Sequence, residues 1–254
     1  MNAYIAFIKK EFSEYLRTYK FSVLITVFLL FGFMNPIFAR FLPELLAALL
    51  PEGMSINLGT PTALDSWAQF FKNVSQMGAM VLVIIMSGII ANEFTRGTLI
   101  NMLTKGLPRP TVILSKFTAA TAIWTVSYML CFAVTYVYTA YFWSMSGITN
   151  LFLSIFSMWL FGVLLISLLI LGGVLFRNIY GSLLLTGGAV VFMTVLNIAP
   201  AVQKYNPIIL SSDNMALLTS QKAASDFTPA IIICMVAIIA LITISIGLFN
   251  KKQI

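Results

Sequence analysis

Histidine is absent from the 254-residue chain. Its absence removes histidine metal sites, Ser-His-Asp triads, the helical HExxH zinc motif and histidine proton relays, and with them most hydrolytic chemistry inside a membrane. Charge is scarce too, at 9% of residues, where a soluble domain carries roughly 25%. Hydrophobic residues make up 60% of the chain and its mean hydropathy is +0.97. So few charges cannot cover a water-soluble surface, and the class is an all-α integral membrane protein. Cys131 and Cys234 both fall inside apolar runs, where a thiol acts as a small hydrophobe, so no disulfide is expected. No GxSG-like nucleophile and no buried acidic pair is legible, and no enzyme activity is expected of this chain. A phosphate-binding GxxxxGK[ST] loop is missing as well, so any ATP and Mg would have to be bound by a separate ATPase subunit.

The apolar residues are arranged in runs. A helix needs about 20 mainly apolar residues to cross the hydrocarbon layer. Six runs qualify: Phe21 to about Phe41, Val74 to Ala91, Val112 to Phe142, Leu151 to Phe176, Tyr180 to Ile198 and Thr228 to Phe249. The first follows basic residues as a signal peptide does, but it is long, shows no small-x-small cleavage site, and is read as retained. Glycines 172, 173, 181, 187 and 188 are candidates for close helix approach. No Asp, Glu, Lys or Arg sits near the middle of any run, which takes away the usual machinery of ion-driven transport.

The net charge of +7 is scattered between these runs and points to orientation, not to nucleic acid. Eleven of the 15 basic residues fall on one side: Lys9, Lys10, Arg17, Lys20, Arg96, Lys105, Arg109, Lys116, Arg177, Lys251 and Lys252. The other side has Arg40, Lys72, Lys204 and Lys222. The positive-inside rule therefore places both termini in the cytoplasm. Residues 1–20 read as an amphipathic helix lying in the headgroup plane, with Ile5, Ile8, Phe12, Tyr15 and Tyr19 on its apolar side and Lys10, Ser13, Glu14 and Arg17 opposite. Residues 43–73 and 199–227 lie outside as loops or short roofing helices, the second with a helix start at "SSDNMALL" capped by Ser or Asp. The whole of 1–254 reads as one membrane domain.

Residues 92–111 hold the densest charge in the middle of the chain. A short helix is expected over Glu93 to Leu103, stopped by Gly106, Pro108 and Pro110, with Phe94, Leu99, Ile100 and Leu103 on its apolar side. From the residues alone this is either a topology-setting basic loop or a docking element. "EFTRGTL" and "LTKGLPRPTVILSK" resemble the cytoplasmic loop of ABC type 2 transporter permeases at Glu93, Arg96, Gly97, Thr98, Leu103, Pro108, Arg109 and Lys116. The family's link is closer to Pro-Val-Ser-Arg where this chain reads "GLPRP".

What the resemblance implies is a coupling helix whose Glu93, Phe94, Arg96, Gly97, Thr98 and Leu99 meet a separate ABC ATPase subunit present in two copies. Ile5, Ile8 and Phe12 would anchor the N-terminal helix beside it. It also implies a second permease copy, taken as a homodimer, in a bacterial plasma membrane. With 21 Phe, 13 Met, 9 Tyr and 4 Trp, the membrane lipid and the cargo both meet an apolar, aromatic surface. Amphipathic peptide ranks first as substrate, then lipid or hydrophobic drug. The competing reading is a membrane sensor or assembly module that binds a cytoplasmic partner and moves nothing.

Overall fold

A computed structural model describes residues 3–49, 60–97 and 108–252. These residues are helical or in turns, and they contain six helices or helical runs long and apolar enough to cross a membrane. In chain order the elements are α1 (Ala3–Arg17), α2 (Lys20–Leu49), α3 (Ala63–Asn73), a π-helical turn (Val74–Gly78), α4 (Ala79–Met86), α5 (Ala91–Arg96), α6 (Arg109–Phe142), α7 (Leu151–Phe176), α8 (Ile179–Leu196), three short helices α9 (Pro200–Gln203), α10 (Ile209–Ser212) and α11 (Asn214–Leu218), and α12 (Ala224–Lys251). The spans are α2, the run Ala63–Thr95, α6, α7, α8 and α12.

The protein is an all-α, multi-pass membrane protein. Its core is α7, 78% of whose most apolar stretch is buried, flanked by α6, α8 and α12. Near its N-terminal end Tyr128 donates to the Ile155 carbonyl at 2.9 Å, and Trp124 stacks on Tyr128 at 5.0 Å. Trp124 and Trp159 then exchange indole donors, to the Trp159 carbonyl and to the Thr125 hydroxyl. Polar side chains tie α2 and α3 to α6. Asn73 donates to Asn35 at 2.7 Å, Asn35 donates to Thr135 at 3.3 Å, and the Ser66 and Thr139 hydroxyls pair at 2.6 Å.

The second span starts eleven residues earlier than its hydropathy suggests. Asp65 accepts from the Thr62 backbone N–H and hydroxyl, both at 2.8 Å, which fixes the helix start. Ser66, Trp67, Phe70, Phe71 and Val74 then recur at helical spacing, and all are buried. Two charges, Asp65 and Lys72, dilute the average hydropathy of this stretch without breaking that face. The segment 199–227 does form short helices against α7, with Ile209, Leu210, Leu217 and Leu218 buried. Asp213 precedes α11 without capping it, because its carboxylate is engaged by Lys222 and by the Ser212 hydroxyl.

Candidate functional site

One end of the bundle collects α1, α5, the start of α6 and the ends of α7 and α12, so both described chain ends lie on the same face. Its geometry begins with α1. Tyr19, in a left-handed conformation at φ 58°, separates α1 from α2 and lets them point in different directions. α1 docks on α6, with Tyr4 and Thr118 hydroxyls paired at 2.7 Å and Phe7 and Tyr15 buried. Its exposed apolar stripe is Ile5 and Leu16, with half-buried Ile8 and Phe12 between them. Lys9, Ser13 and Arg17 stand exposed on the polar side. Of the expected anchor residues, Ile5 is exposed, Ile8 is half-buried, and Phe12 is half-buried and packs against the core.

Lys10 and Glu14 are only half-buried at the edge of that side. Lys10 and the buried Glu11 meet Glu93 from α5 and Lys116 from α6, and Glu14 pairs with Lys10. Glu93 Oε1 lies 2.9 Å from both Lys10 Nζ and Lys116 Nζ. Lys116 Nζ also reaches Glu11 Oε2 at 2.9 Å. Lys10 Nζ reaches Glu11 Oε1 at 2.9 Å and Glu14 Oε2 at 2.7 Å. Glu11, Glu93 and Lys116 are each at most 4% exposed. Burial pulls Lys10 toward its neutral form, but Glu93, Glu14 and Glu11 outweigh it and hold its ammonium well above the ordinary lysine range. Burial pushes Glu14 up, yet its bond to Lys10 brings it below the ordinary carboxylate value. Tyr15 is raised by burial and by the neighbouring carboxylates.

Glu11, Glu14 and Glu93 each place one oxygen within 4.8 Å of the others, a spacing a metal ion could use. Here two ammonium groups bridge those oxygens, so the arrangement is an ion-pair cluster. Glu93 Oε2 has no hydrogen-bond partner among the described residues, and Glu93 lines a space of about 20 Å³, the size of one water. An acidic pair is therefore buried after all, and sequence reading missed it because Glu11 and Glu93 are 82 residues apart. The spacing of Lys10 and Glu14 by four was the one legible signal.

A second node adjoins the first. Phe94 meets Phe249 edge-on at 6.0 Å, while Arg177 and Lys252 approach the Phe94 ring at 5.7 and 5.8 Å. Arg109 lies 6.0 Å from the Phe249 ring and donates to the carbonyls of Phe249, Asn250 and Lys252 at 2.7–2.9 Å, closing the C-terminus of α12. Lys252 does the same for α7, donating to the Val174 and Leu175 carbonyls. Burial and the Arg177 charge both lower Lys252.

Of the residues expected to meet a partner, Glu93 faces the chain's own interior and Phe94 is half-buried in the second node. Thr95 is exposed. α5 ends at Arg96, and Gly97 takes a left-handed conformation at φ 66°, which glycine adopts without strain. The expected helix over Glu93 to Leu103 therefore breaks at Gly97. Thr98, Leu99 and the remainder through 107 lie outside the described residues. The structure brings Glu93 and Phe94 together with α1, α6, α7 and α12.

No family model matches the chain. It is similar to "Uncharacterized transmembrane protein YxlG" of Bacillus subtilis (strain 168), with 20% identity over 183 residues covering 70% of each chain.

Proposed function

We propose that this protein is the permease subunit of an ATP-driven exporter of the ABC type 2 class, with the segment after the second span docking on a separate ATPase. The observation that carries the reading is the buried ion cluster. A loop that only sets topology needs no such cluster, because burying charge costs several kcal/mol per ion unless it is fully paired. Here the cost is accepted at the one place where α5 must be fixed to α1 and α6. Phe94 fixes the same short helix to the ends of α7 and α12. A push received beyond Gly97 is delivered to four spans at once.

In this reading the ATPase is present in two copies and binds ATP and Mg, and two copies of this chain pair in a bacterial plasma membrane. The basic face is cytoplasmic, and the substrate is amphipathic or hydrophobic, peptide first. Both the loop resemblance and the excess of Lys and Arg on this face support it.

The test is co-expression with an ABC ATPase encoded beside this chain, purification by a tag on this chain, and measurement of stoichiometry and ATP hydrolysis. Co-purification of two ATPases with two permeases, with hydrolysis responding to an amphipathic peptide, is expected. Arg96→Glu and Thr95→Arg are expected to lower that response at least fivefold while membrane insertion is unchanged. Glu93→Lys is a poor probe, since it sets a third ammonium beside Lys10 and Lys116. A stable chain that retains no ATPase would return the loop to a topology signal and favour the sensor or assembly reading.

A further inference from the structure

Three acidic side chains belong to the basic face, Glu11, Glu14 and Glu93, and the ion cluster uses all of them. Residues 98–107 carry no acidic side chain. The cations of the second node therefore have no carboxylate to meet among the described residues. Arg109 and Lys252 are occupied by helix-terminal carbonyls. Arg177 is not. It is exposed, its guanidinium has no hydrogen bond or ion pair among the described residues, and its one described contact is the face of Phe94. It also sits in a left-handed conformation at φ 58°, between α7 and α8. An arginine there presents a planar fork of donors that suits a phosphate.

The surroundings of Arg177 are those of a bilayer boundary. Phe176 and Tyr180 are 48% and 85% exposed on either side of it. Ile179, two residues on, forms one wall of an open groove of about 270 Å³ between the turn before α2, α2 itself, the second span and α8. The wall is apolar at Val23, Ile84 and Ile85, polar at Thr18, Ser87 and Asn92, and carries Tyr19 and a second cation, Lys20. A cation beside a concavity that changes from polar to apolar matches a ligand with an anionic head and a hydrocarbon tail.

We propose that Arg177 and the adjoining groove bind an anionic phospholipid, with the headgroup phosphate on Arg177 and acyl chain along the apolar wall. Lys252 strengthens the site by adding a second cation on the same ring. The proposal is independent of whether the chain is a transporter.

The test reconstitutes the full chain in bilayers of equal phosphatidylglycerol and phosphatidylcholine, extracts it gently, and counts retained lipids by native mass spectrometry. The wild type is expected to retain phosphatidylglycerol at least tenfold over phosphatidylcholine. Arg177→Asn, which keeps a residue tolerant of the left-handed conformation, is expected to lose that preference. Arg177→Lys should keep most of it, and Arg17→Gln, on the polar side of α1, should keep all of it. Equal retention by Arg177→Asn and wild type overturns the proposal. So does displacement of the lipid by millimolar inorganic phosphate, which would make this a free-anion site. Absence of any preference in the wild type also overturns it and leaves these cations to an acidic protein partner.

Discussion

Lys116 is the residue on which the ion cluster turns. It is eight positions into α6, 2% exposed, and bonded to carboxylates from two other elements. Removing a single member of a buried ion pair leaves an uncompensated charge, at a cost of about 3–5 kcal/mol. Lys116→Met is therefore expected to lower thermal stability in detergent strongly. Lys116→Met combined with Glu11→Gln should recover part of the loss, because the second change removes a charge that the first has orphaned. Equal melting temperatures for the single variant and the wild type would mean that the ammonium contributes nothing net. The pH response follows from Lys10 and Glu14. Glu14 lies below its ordinary value of 4.5 in the fold, so its contribution is complete above 4.5 and is lost as pH falls through the lowered value. Lys10 is raised above 10.5, so its contribution is complete below 10.5 and is lost only above that. Hydrogen-exchange protection of the α1 amides, taken relative to the intrinsic rate at each pH, should therefore be constant between these limits and should fall on acidification below 4.5. A loss of protection between pH 5 and 8 would contradict this assignment.

Helix contacts at the next scale depend on which glycines face a neighbour. A Cβ on Gly172 would lie 2.8 Å from the Ser182 Cα, where Ser182 also donates to the Leu169 carbonyl at 2.8 Å, so α7 and α8 touch backbone to backbone. Gly187 and Gly188 meet nothing within 4 Å. Gly172→Leu is expected to cost about 1–3 kcal/mol as overpacking, while Gly187→Leu should change stability by less than about 0.5 kcal/mol. Melting temperatures of the two variants, measured side by side, decide it. The sequence listed these glycines as equals because composition does not say which side of a helix is covered. Existence of the six spans was legible, since uninterrupted apolar length is a one-dimensional property. The α7 boundaries, Leu151–Phe176, agree with it to the residue. The start of α3 was not, because Asp65 and Lys72 hide a buried face that only the helical period shows. Nor was the reach of half-buried Lys10 into the buried cluster, since a polar stripe on an amphipathic helix is ordinarily its solvent side. Three-dimensional neighbours, Glu93 and Lys116, reverse that expectation.

At the scale of the whole molecule, the second span and α6 are joined at both ends, with α1 added at one end and α2 at the other. The basic face is held by the ion cluster and by the Tyr4–Thr118 pair. The opposite end is held by Ser66 with Thr139 and by the chain from Asn73 through Asn35 to Thr135. Between these ties the second span contains its π-helical turn, Val74–Gly78, yet Val74 and Gly78 are both buried and Gly78 packs under Phe28. Four elements fastened in this way are expected to move as one body, with relative motion at surfaces less enclosed, such as those of α8 and α12, whose spans are only 11% and 22% buried. A cross-link inside the body should then leave its work untouched. The Ser66 and Thr139 hydroxyls are 2.6 Å apart, a separation that brings two introduced cysteines within reach of a disulfide. Cys131 and Cys234, both buried, are replaced by alanine to keep the chemistry unambiguous. Under the transport reading, oxidised Ser66→Cys/Thr139→Cys should retain ATP hydrolysis and export within about twofold of the reduced protein, with a higher melting temperature. A loss of more than tenfold that reductant restores would show that α3 and α6 separate during the cycle. The π-helical turn would then be the point at which the second span yields.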